Sequence, residues 1–210
     1  MADAPEIAWY FDTVSPFSYL ALPAVEALAA RRPVAMRPVV LGAVLAHWGG
    51  LGPAEVPPKR LHTYRLCQFL ADRAGVPMRF PPRHPFRSLE AQRLLTALGA
   101  TPAAVRAVFD FVWREGRDPG DPAEFAALRG RFAERDLRGP PDAKAALRGA
   151  TDAAVAAGVF GVPTLRIGAE LFWGVDALPM AEAYLENRSL FSRGEMARLA
   201  ELPVGVERRR

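Results

Sequence analysis

Two serines set three residues apart are the first side chains of this sequence whose type and spacing could do chemistry. Ser15 and Ser18 lie in the stretch DTVSPFSYLA, residues 12–21. A serine hydroxyl is a poor nucleophile at its free pKa, and no activating histidine and aspartate are visible beside it in the sequence. Ser15 directly precedes Pro16, so it also fits a helix N-cap followed by proline at the first helical position. Ser15 could therefore assist a reaction through its hydroxyl or act only as a helix cap. Ser18 is expected to have a structural role.

The cysteine and histidine content argues against other kinds of site. A single cysteine, Cys67, rules out an intramolecular disulfide and a CxxC redox pair, and it leaves too few soft ligands for structural zinc. Its apolar neighbours Leu66, Phe69 and Leu70 indicate a small buried hydrophobe rather than a nucleophile. The histidines lack metal-ligand spacing, so we expect no metal; they are His47, His62 and His84.

Composition and charge narrow the class of protein. The chain has 210 residues, of which 50% are hydrophobic and 24% charged, as in ordinary globular domains. Its formal charge of +4 comes mostly from arginines scattered through predicted helices. Such scatter argues against a nucleic-acid surface and is compatible with a small anionic substrate. No secretion signal or bilayer-spanning run is recognisable, so we expect a cytoplasmic protein without membrane contact.

A strand and a helix are predicted to position the two serines. Residues 6–11 form a short apolar run that predicts a buried strand, and apolar residues recur at helical spacing from Pro16. Residues 34–41 predict a second strand, in which Pro38 indicates an edge or a bulge. The resulting β-α-β unit has parallel strands and implies an α/β sheet. Ser15 then lies in the turn between the first strand and the helix.

The middle of the chain is predicted to be helical. Glycines and prolines indicate a loop over residues 49–58, and residues 75–87 are too rich in proline for regular structure. The predicted helices of this region are 59–74, 88–99, 102–116, 121–136 and 141–157. Two strands and two helices are then predicted at 162–168, 170–174, 177–187 and 193–201.

This order of elements matches a thioredoxin-like α/β fold. A helical domain is inserted between its β-α-β and β-β-α halves. The thioredoxin-like domain then comprises residues 1–45 and 155–210, and the inserted helical domain comprises residues 46–154.

Three motifs set in this order resemble the 2-hydroxychromene-2-carboxylate isomerase family, which groups with kappa-class glutathione transferases and DsbA-like oxidoreductases. The motifs are YFDTVSPFSYLA, GVFGVPT and LFWGVDAL, and the resemblance runs nearly the length of the chain. Redox relatives carry a CxxC cysteine at the first helix N-terminus, where Ser15 stands here. The resemblance therefore implies that the sulfur belongs to glutathione, whose thiolate accepts a hydrogen bond from Ser15. The O–H donor and the positive end of the helix would both lower the pKa of the thiol.

The resemblance also assigns the rest of a glutathione site. Val162-Pro163 resembles the cis-proline turn of the thioredoxin fold, where the backbone before the proline pairs with a peptide-like ligand. A plain loop-to-strand proline is the alternative. Four residues correspond to contacts with the γ-glutamyl end: Trp173, Gly174, Val175 and Asp176. Asp176, at a predicted helix start, could pair with the ligand's ammonium; the alternatives are a cap for Asp176 and a core position for Trp173.

The implied substrate is a small aromatic carboxylate. Arg87 suits a carboxylate clamp, and an apolar wall could come from Trp48 and Phe86. The residues expected on the substrate side are Phe17, Trp48, His84 and Arg87. Relatives often form dimers, so a homodimer is expected.

Two departures from the family leave the function open. A lysine that isomerases can carry soon after the second strand has no counterpart, and Lys59 is the nearest lysine. Leu66 and Phe69 stand where better-known members tend to carry an acidic and a basic residue. The functions considered are a glutathione-dependent isomerase, a kappa-type glutathione transferase and a non-catalytic thioredoxin-fold binding module.

Overall fold

A four-stranded sheet organises the computed structural model, which describes residues 6–206. The strands are β1 (Ile7–Phe11), β2 (Ala35–Pro38), β3 (Thr164–Ile167) and β4 (Glu170–Trp173), in the order β2-β1-β3-β4. β1 pairs in parallel with β2 and antiparallel with β3, and β3 pairs antiparallel with β4. The central position of β1 explains why all five of its residues are buried.

Helices account for most of the remaining chain within the described residues. They are α1 (Pro16–Ala29), α2 (Leu41–Trp48), α3 (Pro57–Ala74), α4 (Leu89–Ala97), α5 (Pro102–Phe109), α6 (Pro122–Arg129), α7 (Ala143–Ala156), α8 (Leu178–Glu186) and α9 (Gly194–Leu199). A π-helical turn, Asp110–Arg114, continues α5. Among residues 6–206, no helix is both long enough and apolar enough to cross a membrane.

The predicted β-α-β, helical insertion and β-β-α order is confirmed, and the main differences lie after β2 and in the predicted helix 121–136. β2 stops at Pro38 instead of reaching residue 41, and the unpredicted helix α2 follows at once. The predicted helix 121–136 ends at Arg129, followed by turns and a short 3-10 segment.

The helical insertion and the sheet share the larger of two buried hydrophobic clusters. Trp9 and Phe11 of β1 stack with ring centroids 4.5 Å apart. Phe109 of α5 packs against both rings, at 6.1 and 5.5 Å. The domain division at residues 45/46 and 154/155 stays a prediction, and its terminal residues 1–5 and 207–210 lie outside the described residues.

Candidate active site

One end of the sheet gathers the three motifs singled out in the sequence. Tyr10, one residue before the end of β1, pairs with Thr164, the first residue of β3. Thr164 in turn pairs with Trp173, the last residue of β4. The turn that leads to Ser15, the Val162-Pro163 bond and Gly174 therefore all lie at this end of the sheet.

Ser15 is the N-cap of α1. It is 5% exposed, its backbone is extended, and its Oγ accepts a hydrogen bond from the Ser18 N–H at 3.2 Å. This bond uses a lone pair of Oγ and leaves the hydroxyl proton free to be donated. The cap that the sequence left open is therefore present, and it is compatible with a donor role toward a ligand at the helix N-terminus.

Asp12 ties the turn before Ser15 to the start of α2. Its buried carboxylate accepts hydrogen bonds from the backbone N–H of Val14 at 3.0 Å and of Leu41 at 2.9 Å. Burial raises the pKa of Asp12, while the bonds from Leu41 and Val14 and from the Ser88 side chain act to lower it. The Ser15 N–H donates to the Asp12 carbonyl at 3.0 Å, which closes the turn.

His84 holds the same turn from the proline-rich loop. Its Nε2 lies 2.8 Å from the Val14 carbonyl oxygen, which can only accept, so Nε2 carries the proton and donates it. Nδ1 lies 2.9 Å from the Tyr64 hydroxyl. Burial lowers the pKa of His84, as does the positive charge of Arg60, against the opposing effect of the Val14 bond. Both ring nitrogens of His84 therefore already have partners within the protein. A contact of His84 with substrate stays a prediction.

The Val162-Pro163 peptide bond is cis, as the resemblance to the family implies. The Pro163 carbonyl accepts from the Gly174 N–H at 2.9 Å, which joins this turn to the end of β4. Within residues 6–206, the backbone N–H and C=O of Val162 have no hydrogen-bond partner. Both groups are therefore available to an extended ligand that would add to the sheet at this point.

The segment after β4 places an aromatic ring and a carboxylate beside the turn. Trp173 is 52% exposed, so a core position is wrong for it. The N-cap of α8 is Ala177, without a side-chain cap bond, so Asp176 is not the helix cap either. Gly174 has a φ of 90°, and a Cβ there would overlap the Asp176 carboxylate. Asp176 is exposed, and Val175 packs against the core beneath it.

The residues predicted on the substrate side are more dispersed. Trp48 is 45% exposed, and its Nε1 donates to the Val159 carbonyl at 3.0 Å, which fixes it beside the segment that leads to Val162. Phe17 is half-buried in the first turn of α1, and Arg87 is exposed in the proline-rich loop. Whether these residues meet a substrate stays a prediction.

Comparisons with known proteins identify the family. A family model described as a DSBA-like thioredoxin domain matches residues 6–186. A 2-hydroxychromene-2-carboxylate isomerase from Sphingobium xenophagum is 31% identical over 192 residues, which cover 85% of this chain and 97% of that protein. One from Pseudomonas putida is 33% identical over 187 residues, 84% and 92% of the two chains. The chain belongs to the 2-hydroxychromene-2-carboxylate isomerase family.

Solved structures confirm the thioredoxin-like fold of this isomerase-family member. The structure of a 2-hydroxychromene-2-carboxylate isomerase matches 94% of this chain and 99% of its own, with a TM-score of 0.70 and 28% identity. The cytosolic disulfide reductase DsbM from Pseudomonas aeruginosa matches 86% of this chain and 99% of its own, with a TM-score of 0.56 and 15% identity. At 15% identity, the similarity to DsbM concerns the fold alone.

The isomerase-family member has no accessible thiol among its described residues. Cys67 on α3 is fully buried, as predicted, and burial raises the pKa of its thiol to about 12. Leu66 and Phe69, the departures from the family pattern, are exposed on the same helix. The guanidinium of Arg73 lies 5.5 Å from the centroid of the Phe69 ring.

Three side chains at the site were missed by sequence reasoning: Asp12, Gln92 and Trp113. Each bonds to the backbone of the turn before α1. Asp12 offered a weak signal, since it stands between an apolar strand and a helix start. Gln92 and Trp113 offered none, because only tertiary folding brings them to residues far away in sequence.

Proposed function

We propose that the protein is a glutathione-dependent isomerase that interconverts 2-hydroxychromene-2-carboxylate and trans-o-hydroxybenzylidenepyruvate, or a close aromatic analogue. The observation that carries this proposal is the placement of Ser15, at the N-terminus of α1, at the same end of the sheet as the unpaired backbone of Val162. The relatives that bear this isomerase name cover more than four fifths of the chain, which supports the reaction class.

The side chains present fit a tripeptide thiol. Ser15 would donate its free hydroxyl proton to the thiolate, and the positive end of α1 would favour the ionised sulfur. Val162 would pair through its N–H and C=O with the cysteinyl unit of glutathione. The exposed carboxylate of Asp176 would receive the ammonium of the γ-glutamyl unit.

The chain's own residues would then bind and orient the substrate. When bound, glutathione supplies a thiolate that adds reversibly to the conjugated substrate, so that a double bond becomes a single bond about which rotation is possible. Arg87 would hold the substrate carboxylate, and Trp48 and Phe17 would contact its ring. Ser15 would keep the sulfur ionised whenever it is free.

A side-by-side assay with purified protein tests this function. Isomerisation of the chromene carboxylate is measured with and without glutathione, together with conjugation of a small electrophile. We expect isomerisation only when glutathione is present. Conjugation without isomerisation would replace the proposal by a kappa-type glutathione transferase. Failure of glutathione to bind in calorimetry at millimolar concentration would leave a non-catalytic binding module.

The proposal extends to assembly and location. We expect a homodimer, because relatives often form dimers, and we propose a cytoplasmic location. Light scattering of the purified protein and fractionation of cells would measure the two properties.

A further inference from the structure

Gln92 is a fully buried polar residue on α4, far in sequence from the motifs of the site. Its side-chain amide reaches across to the point where β1 and β2 end. Nε2 donates to the carbonyl oxygens of Phe11 at 3.0 Å and Val39 at 2.7 Å. Oε1 accepts from the Thr13 N–H at 3.3 Å. One side chain thus joins the ends of two strands to the turn before α1.

These three bonds define the orientation of the amide. Carbonyl oxygens only accept and a backbone N–H only donates, so exchange of Nε2 and Oε1 would break all three bonds. Both protons of Nε2 are used. A buried amide whose donors and acceptor are all used is rigid. Loss of its donors would leave the Val39 carbonyl without a partner among the described residues, while the Phe11 carbonyl would keep the bond that it accepts from the Val39 N–H at 3.0 Å.

The other backbone groups of the turn are held by side chains as well. Trp113 Nε1 donates to the Thr13 carbonyl at 2.9 Å. The Val14 N–H donates to the Asp12 carboxylate, and the Val14 C=O accepts from His84 Nε2. The N–H and C=O of Thr13 and of Val14 therefore each have a side-chain partner. Because Ser15 follows directly, its position depends on these four contacts.

We propose that Gln92 is a positioning residue that fixes the turn of residues 12–15, so that the Ser15 hydroxyl is held toward the thiolate of bound glutathione. This role rests on the proposed function and adds a residue that acts through Ser15 without touching the ligand. A donor that is preorganised stabilises a negative charge without reorganisation, whereas a donor on a loosened turn does not.

Two variants of similar shape test the role. Gln92→Met removes the donors and the acceptor, and Gln92→Glu retains an acceptor but has at most one proton to donate in place of two. Thr96→Ala is the matched control, because the Thr96 hydroxyl donates within α4 to the Gln92 carbonyl and makes no hydrogen bond to the turn. The pKa of the bound glutathione thiol is followed by the ultraviolet absorbance of the thiolate. Amide hydrogen exchange of residues 12–18 is measured without glutathione.

We expect both Gln92 variants to remain folded and to exchange the amides of residues 12–18 faster than wild type and Thr96→Ala. The pKa of the bound thiol should rise by roughly one unit, while glutathione affinity falls less than tenfold, because Val162 and Asp176 still hold the ligand. A folded Gln92 variant with wild-type exchange overturns the positioning role. So does faster exchange with an unchanged thiol pKa.

If the proposed function is wrong, glutathione binding and amide exchange give a different combination of results. If wild type itself does not bind glutathione, the isomerase proposal fails, and the thiolate role of Gln92 fails with it. The exchange measurement then still decides whether Gln92 holds the turn. If the Gln92 variants do not fold, Gln92→Asn, which retains the amide on a shorter side chain, must fold with a shifted thiol pKa, or the role is rejected.

Discussion

At the scale of single residues, the two serines around Pro16 and Phe17 differ in their hydrogen bonding. Ser15 caps α1 and retains a proton to donate, whereas the buried hydroxyl of Ser18 finds no hydrogen-bond partner among the described residues. A buried hydroxyl without a partner is destabilising. One serine therefore contributes to stability and the other reduces it.

Alanine substitutions of these serines should separate the two roles. Ser15→Ala should lower the free energy of unfolding by about 1 kcal/mol, because the cap is lost. Ser18→Ala should leave it unchanged or raise it by about 0.5 to 1 kcal/mol, because an unpaired hydroxyl is removed. Urea unfolding followed by circular dichroism measures both. Equal losses of stability for the two variants would contradict this assignment.

His84 should make stability depend on pH. Its pKa in the folded state is lowered by burial, so below the ordinary value of about 6.5 the unfolded chain binds more protons than the folded protein. Stability should therefore fall as the pH falls through about 6.5 and below. His84→Gln retains a donor for the Val14 carbonyl but cannot titrate, so its stability should vary less between about pH 5.5 and pH 7.5.

The matched control for this experiment is His47→Gln, on the exposed end of α2. Its urea midpoints at the two pH values should follow those of wild type. If His84→Gln retains the full pH dependence of wild type, His84 is not the group responsible.

At the scale of elements, the sequence predicted those whose signals are local. The apolar run of β1, Pro16 after Ser15 and the hairpin around Gly168 each depend on neighbouring residues, and all three elements are present. The cis bond before Pro163 was expected from the resemblance to a family. The proline-rich loop at residues 75–87 also lacks helices and strands.

Helix α2 shows why other elements could not be predicted. Its sequence LGAVLAHW follows β2 directly, and its N-cap Val40 has no capping side chain. The N–H groups at the start of the helix instead donate to side chains that are remote in sequence. Val40 N donates to Thr151 Oγ1 at 3.1 Å, and Leu41 N donates to Asp12 at 2.9 Å. A helix capped by residues remote in sequence leaves no local signature.

The same reason limits prediction of the site. Ser15, Val162 and Asp176 stand in short motifs that a family resemblance can assign. Gln92 and Trp113 each make one hydrogen bond to Thr13, which lies 79 and 100 residues away from them in sequence. Side chains of this kind are recognised only when the tertiary structure is known.

At the scale of the whole molecule, the shared core predicts that the insertion and the sheet unfold together. Phe109→Ala should lower the free energy of unfolding by about 3 to 5 kcal/mol, because a fully buried ring between α5 and β1 is removed. Hydrogen exchange read separately for β1 and for α5 should show the same loss of protection in both. Leu137→Ala, at an exposed position of the insertion, is the control. Unfolding of α5 while β1 remains protected would contradict a cluster shared by the two elements.

The four contacts that hold the turn before Ser15 also have a consequence for synthesis of the chain. Ser15 leaves the ribosome long before His84, Gln92 and Trp113 have been translated. The nascent strand and helix around Ser15 therefore cannot adopt the arrangement of the folded protein until the insertion has emerged and folded onto them. A chain interrupted before residue 113 would contain the serine motif in full and still lack the contact of Trp113 with the turn before it.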